Sequence, residues 1–267
     1  LLKLKADMSI MDQTSININP TWGDLFSGKF LLPTIITNLG ILLFAVDTFI
    51  ITTIMPTVIE DIGGTSLYAW PVMIFTVGAI VGAASAGPMK VKFGQRDGFI
   101  FAGLLFLSGN LGAAYAANIE ILIAWRLLQG LGGGLIISQS FGLVGEFYPS
   151  DLRPRMFSII STTWGLATIF GPAFGGVFAE LGSWRLAFLA IVPLTLIFCV
   201  LVWRHIEHTG KGDKAEKFPV TRLVLFASGI MSIGLTSQTD NNFLRLGLLA
   251  IAIMMVSYAM KRDVTSV

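Results

Sequence analysis

The chain has 267 residues, 54% of them hydrophobic and only 13% charged, and its mean hydropathy is +0.77. Soluble domains carry roughly 25% charged residues, so this chain cannot cover itself with polar surface and much of it must face lipid. A net charge of +2 supplies no field that would attract nucleic acid.

Residues 1–30 are polar, rich in Asn, Ser and Thr, and read as a cytoplasmic segment rather than a signal peptide. A spanning helix needs about 20 mostly apolar residues. Eight stretches qualify: 31–57, 69–90, 98–117, 119–146, 155–181, 184–203, 219–237 and 243–260. The first carries Asp47 and the fourth carries Arg126, the two charges embedded within spans. The second has small residues at four-residue spacing, Gly78–Gly82–Ala86, as do the fourth, Gly130–Gly134, and the fifth, Gly171–Gly175. Helices in lipid associate by close contact, and small residues permit it. In the fifth span, "GLATIFGPAFGGVF" also holds Gly165, Gly176 and Pro172. The proline frees a carbonyl one turn earlier and predicts a bend. Cys199, the single cysteine, sits in the apolar sixth span and reads as a small packing side chain. A charged linker, "RHIEHTGKGDKAEKF", covers 204–218, and residues 219–260 hold the last two spans before a truncated cytoplasmic end at 261–267.

Basic residues orient the array. Fifteen lie on one side of the predicted helices, among them Lys29, Lys90, Lys92, Arg96, Arg153, Arg155 and Arg204, and two, Arg185 and Arg245, lie on the other. The expected topology is therefore multi-pass with both ends cytoplasmic, in the inner (plasma) membrane.

A charge at the bilayer centre costs at least about 2.5–3.5 kcal/mol on insertion scales, so Asp47 and Arg126 each need a partner or water. At about 1.5 Å per residue, Asp47 lies roughly 24 Å from the cytoplasmic end of its helix and Arg126 roughly 10 Å below the outer end of its own. These are similar depths, so the two can pair if the first and fourth helices are neighbours. Two readings stay open: a static ion pair, or a protonatable carboxylate tuned by an arginine. His205, Glu207 and His208 lie in the linker and read as solvated, so no metal site is expected. No hydrolytic residue pair and no phosphate-binding glycine loop is present, so the chain does not read as an enzyme.

These residues resemble the drug:H+ antiporters of the major facilitator superfamily. The run ending Gly171, Pro172, Gly175 and Gly176 is similar to the family's motif C, with Ala167 where a glycine is usual. "RLLQGLGGG" resembles motif B through Arg126, Gln129, Gly130, Gly132 and Gly133. "VDTFIITTIMP" is similar to the acidic first-helix motif, with Asp47 and Pro56 in register, and "SWRLAFLAIVP" resembles the start of the sixth helix. "GPMKVKFGQRDG" resembles motif A in Gly87, Lys92, Gly94 and Arg96, but Val91 stands where the family usually has an aspartate. The resemblance covers the first six helices, and the two following spans point to the fourteen-helix branch.

The resemblance implies an all-α membrane fold, a six-helix N-terminal bundle over 31–203 built from two inverted three-helix repeats, plus two further transmembrane helices. It implies proton-coupled efflux of amphiphilic organic compounds, with the proton as coupling ion and no other cofactor. Asp47 would bind the proton and Arg126 would sense its charge. Motif C would meet the opposite half. Gly87, Lys92, Gly94, Arg96 and Glu146 would gate the cytoplasmic side, with Glu146 pairing to Arg96 or Arg153. Phe44, Phe49, Trp164 and Phe170 would line an apolar substrate site. Lipid, a small amphiphilic substrate and a missing C-terminal half are the expected partners, with the chain a fragment of a transporter roughly twice as long. Alternatives are a half-length protein that pairs with another chain, a decayed transporter acting as a binding or scaffold protein, and a carrier for siderophores or lipids.

Overall fold

The computed structural model describes residues 21–208, 220–236, 239 and 241–264. Most of the N-terminal segment (1–20), most of the charged linker (209–219) and the last three residues lie outside the described residues. Eight long helices follow one another among the described residues: α1 (Leu31–Ile62), α2 (Trp70–Phe93), α3 (Gln95–Ala114), α4 (Ile119–Phe147), α5 (Arg153–Glu180), α6 (Trp184–His205), α7 (Val220–Thr236) and α8 (Asn242–Val264). No strand occurs among the described residues. α1 to α6 are each long and apolar enough to cross a membrane, whereas the apolar parts of the last two are shorter, Ala227–Thr236 and Asn242–Tyr258.

Glycine sets the helix ends more firmly than proline does. α1 runs five residues past its predicted end, straight through Pro56, and stops at Gly63 and Gly64, whose φ angles of 73° and 88° favour a residue without a Cβ. α2 likewise continues through Pro88 to Phe93 and is turned into α3 by Gly94, φ 82°. α4 begins where Asn118 accepts the Ile121 amide at 2.9 Å, satisfying a free donor of the first turn.

The first six helices repeat one packing scheme. α1 packs on α5 and α6, and α4 packs on α2 and α3. Exchanging α1–α3 for α4–α6 maps one set of contacts onto the other and leaves the α1–α4 and α3–α6 contacts on the dividing axis. This is the signature of two inverted repeats.

Backbone contact through glycine makes the tightest of these interfaces. A Cβ on Gly78 would lie 2.6 Å from the Leu127 carbonyl oxygen, and Cβ atoms on Gly82, Gly130 and Gly134 would run into the backbones of Leu131, Phe75 and Ala79. α2 and α4 thus meet along two turns with no side chain between them. The corresponding α1–α5 contact uses Gly171 and Gly175, where added Cβ atoms would approach Phe49 Cβ at 2.7 Å and Thr53 Cβ at 3.0 Å.

At the end of the bundle that carries most basic residues, the segment before α1 is structured. Thr21 and Asp24 form a capping box around the single turn Trp22–Leu25. Leu25 is fully buried with Ile41, Val144, Tyr148, Leu152, Met156 and Ile160, and the Tyr148 hydroxyl and Thr34 Oγ1 share a 2.8 Å hydrogen bond. The polar composition of residues 1–30 hid this docking, because one buried leucine gives no periodicity. α7 and α8 pack on each other, and α7 lies against α2, with Gly234 at Met73.

Glycine seams of this kind make a direct prediction. Gly134→Leu adds a side chain where the Ala79 backbone already sits, and overpacking costs about 1–3 kcal/mol or more. Gly142, which has open space around it, should accept leucine with little change. Thermal unfolding of the two variants in the same detergent should separate them by several degrees.

Candidate functional site: a buried ion pair between α1 and α4

Arg126 and Gln129 are three residues apart on α4 and so share one face. That face meets Asp47 on α1. Arg126 Nη1 donates to Asp47 Oδ2 at 2.6 Å, and Gln129 Nε2 donates to Asp47 Oδ1 at 2.5 Å. Arg126 Nη1 also donates to Gln129 Oε1 at 2.8 Å, which closes a three-membered ring of contacts. Asp47 is 1% exposed, and Arg126 and Gln129 are fully buried. The expectation that Asp47 and Arg126 share a depth and meet across neighbouring helices agrees with this geometry.

The second repeat's arginine is held from the first repeat as well. Arg126 Nε donates to the Pro71 carbonyl at 3.2 Å, and its guanidinium lies 4.1 Å from the centre of the Phe75 ring. Both acceptors come from the first two turns of α2. A desolvated cation–π contact is worth about 2 kcal/mol or more, so α2 offers a real alternative to the carboxylate. Nη2 of Arg126 is buried without a hydrogen-bond partner. Pro71 and Phe75 were not legible in the sequence, because only the α2–α4 seam brings them beside Arg126.

An aromatic cluster adjoins the pair. Phe44 stacks on Phe75 at 5.5 Å between centroids, and Trp164 meets both Phe44 and Phe49 edge-on, at 6.1 and 6.2 Å. Three of the four aromatics named from sequence therefore come together on α1 and α5, half-buried. Phe170 does not join them and is 52% exposed. Beside the cluster, Thr163 Oγ1 donates to Asn38 Oδ1 at 3.0 Å.

Motif C divides between two faces of α5. Gly171 and Gly175 are consumed by α1, whereas Gly165 and Gly176 have open space around them. The expectation that the whole motif meets an opposite half is corrected accordingly: the four-residue spacing builds an interface inside this bundle. Pro172 lies within the helix and, lacking an N–H, leaves the Thr168 carbonyl without its helical donor.

At the basic end, Glu146 pairs with Lys90, not with Arg96 or Arg153 as expected. α2 lies along α4 to its last turn, which sets Lys90 opposite Glu146. Arg96 lies beyond the Gly94 turn and pairs with Asp97 at 3.2 Å, which also meets His208 Nδ1 at 3.4 Å. Arg153 donates to the Tyr148 carbonyl at 2.8 Å. Lys92 sits over the Phe93 ring, 5.2 Å from its centroid, and Gly87 is open on its surface. Val91 lines a cavity of about 880 Å³ together with Lys29, Lys90, Gln95, Glu146 and His205.

At the opposite end, Asp61 accepts from Trp184 Nε1 at 3.0 Å and pairs with Arg185. Arg185 also donates to the Ala116 carbonyl at 3.2 Å. The Trp-Arg pair noted at the start of the sixth span thus ties α6 to the end of α1 and to the α3–α4 connection. Cys199 packs against Gly103 of α3.

The sequence profile of the Major Facilitator Superfamily matches residues 37–265. A probable multidrug-efflux transporter of Mycobacterium tuberculosis is 33% identical over 244 residues, 89% of this chain and 52% of that protein. Multidrug resistance protein 3 of Bacillus subtilis is 29% identical over 174 residues, 64% of this chain and 34% of that protein. The chain thus spans about half the length, or less, of these curated relatives. Among solved structures, the proton:xylose symporter XylE superposes with a TM-score of 0.61 at 20% identity, over 84% of this chain and 52% of that one. The POT family transporter PepTSo superposes with a TM-score of 0.59 at 15% identity, over 91% and 55%. At these identities the structural likeness is one of fold. With a profile match over most of its length and a bundle of two inverted repeats, the chain belongs to the Major Facilitator Superfamily of multi-pass membrane transporters.

Proposed function

We propose that the transporter to which this chain contributes exports amphiphilic organic compounds in exchange for protons, as a member of the drug:H+ antiporter branch. The observation that carries this reading is the buried Asp47–Arg126–Gln129 network at membrane depth. An ionisable pair at that depth is costly, and such groups mark ion and proton pathways. The similarity to multidrug-efflux relatives supports efflux as the direction and amphiphiles as the cargo.

In this reading Asp47 takes up the coupling proton and Arg126 responds to the loss of its counter-charge. Phe44, Phe49 and Trp164 supply an apolar surface beside the pair on which a flat amphiphile can stack. Gly165 and Gly176 of motif C face the second half of the transporter, which is the principal partner together with lipid and substrate. Lys90–Glu146 and the Gly94 turn, with Gly87, Lys92 and Arg96 around them, form the cytoplasmic gate. The imbalance of basic residues supports a cytoplasmic location for both ends, in the inner (plasma) membrane, with eight spans in this part of the chain.

Proton-driven flux in proteoliposomes containing the complete transporter tests the assignment. Asp47→Asn should retain substrate binding and abolish pH-driven flux; undiminished pH-dependent flux in this variant would leave a static ion pair as the better reading. Arg126→Ala leaves a buried carboxylate without its partner, which costs about 3–5 kcal/mol when such a pair is broken from one side. Its thermal stability should therefore fall at neutral pH and recover on acidification, as Asp47 becomes neutral. For the topology, a cysteine replacing Lys92 should react with a membrane-impermeant reagent only after the cytoplasmic face is opened; labelling in sealed cells would reverse the orientation.

A further inference from the structure

The third member of the network has a chemistry that its two neighbours do not. An ionised carboxylate only accepts hydrogen bonds and a guanidinium only donates them. The Gln129 amide between them therefore has one possible orientation: Nε2 towards Asp47 Oδ1 and Oε1 towards Arg126 Nη1. That orientation belongs to ionised Asp47. Among the described residues no second charge competes for the carboxylate. Of the helices packed on α1, only α4 brings a charged group to Asp47, and the charged residues of α2, α5 and α6 lie at the helix ends.

Protonation reverses the requirement at one contact. The new O–H must donate, and Arg126 has no acceptor to offer. The acceptor already in the network is Gln129 Oε1. We infer that Gln129 is a proton-responsive positioning residue, whose amide reverses when Asp47 is protonated and thereby shifts the hold on Arg126 from α1 towards α2. The inference rests on the reading of Asp47 as the proton site.

Reversal is a local event. A terminal amide torsion is broad and roughly two-fold, so it turns without leaving a deep rotamer well. The Gln129 backbone cannot yield instead, because a Cβ on Gly109 of α3 would lie 2.6 Å from Gln129 Cα. Once reversed, Nε2 faces Arg126 Nη1, donor against donor. Arg126 then loses its contact with Gln129, and its bond to Asp47 Oδ2 becomes one to a neutral carbonyl oxygen, while the Pro71 carbonyl at 3.2 Å and the Phe75 ring at 4.1 Å, both of α2, are unchanged. Before protonation an ion pair binds Arg126 to α1; afterwards the link to α1 is a single hydrogen bond to a neutral group, weaker than the charge-assisted one it replaces. The glycine seams make α2–α4 and α1–α5 two close-packed units, so the weakened contact lies at the boundary between them.

Infrared difference spectra of the complete transporter in lipid vesicles, between alkaline and acidic buffer, read both groups. Glutamine labelled with carbon-13 at the side-chain carbonyl separates its amide band from the backbone. Acidification should produce a protonated-carboxyl band and a shift of one glutamine carbonyl band at the same midpoint, and Asp47→Asn should remove both. Gln129→Met should eliminate the glutamine shift and move the pH midpoint of substrate flux, because the charge-assisted donor lost to the carboxylate outweighs the acceptor lost to the neutral acid. A carboxyl band that rises without any glutamine shift would overturn the inference while leaving Asp47 as the proton site. Absence of the carboxyl band would overturn the reading of Asp47 and the inference with it. An unmoved flux midpoint in a folded Gln129→Met variant would reduce Gln129 to a packing residue.

Discussion

The architecture depends on one electrostatic constraint: a carboxylate and a guanidinium held at membrane depth with almost no exposed surface. Leaving either without a partner there costs several kcal/mol, a large share of a bundle's net stability. The pair therefore requires α1 and α4 to be neighbours at a particular depth and rotation. Burial makes this requirement strict, since a misplaced partner would leave a desolvated ion unpaired. It also makes the site sensitive, because the arrival of one proton changes which hydrogen bonds are possible.

Inverted repetition explains how the chain meets that constraint. The two helices that carry the charges are the first of each repeat, and they lie together on the axis that relates the repeats. Each is braced by the second helix of the opposite repeat through a seam of small residues: Gly78, Gly82, Gly130 and Gly134 between α2 and α4, Gly171 and Gly175 between α5 and α1. In lipid these seams gain from dispersion and close approach, with little help from the hydrophobic effect. Four helices are thus arranged as two rigid pairs, and the polar network crosses from one pair to the other. Away from it, the Asp61–Arg185 and Lys90–Glu146 pairs tie helices together at the two ends of the bundle.

Chemistry beside the pair suits a particular kind of cargo in the proposed function. Phe44, Phe49 and Trp164 present rings, and Asn38 and Thr163 present neutral polar groups. Both oxygens of Asp47 already accept hydrogen bonds. Contacts available from this part of the chain are therefore stacking and neutral hydrogen bonding.

Hydropathy alone determined that the chain is a helical membrane protein, because apolar runs of spanning length have no other stable home. The placement of charges was also legible: Asp47 and Arg126 stood out as the two ionisable residues inside spans, and helix rise put them at one depth. Residue type and spacing likewise exposed the glycine pairs. Tertiary structure decided who meets whom. Pro71 and Phe75 become arginine partners only because α2 lies backbone to backbone on α4. Glu146 finds Lys90 rather than Arg96 because α2 persists through Pro88 to the Gly94 turn. Gly171 and Gly175 belong to α1, while Gly165 and Gly176 stay open, a division that depends on the rotation of α5 about its axis. Local sequence reports length, depth and period; it carries no record of which face of one helix touches another, since that is settled by the packing of all six together.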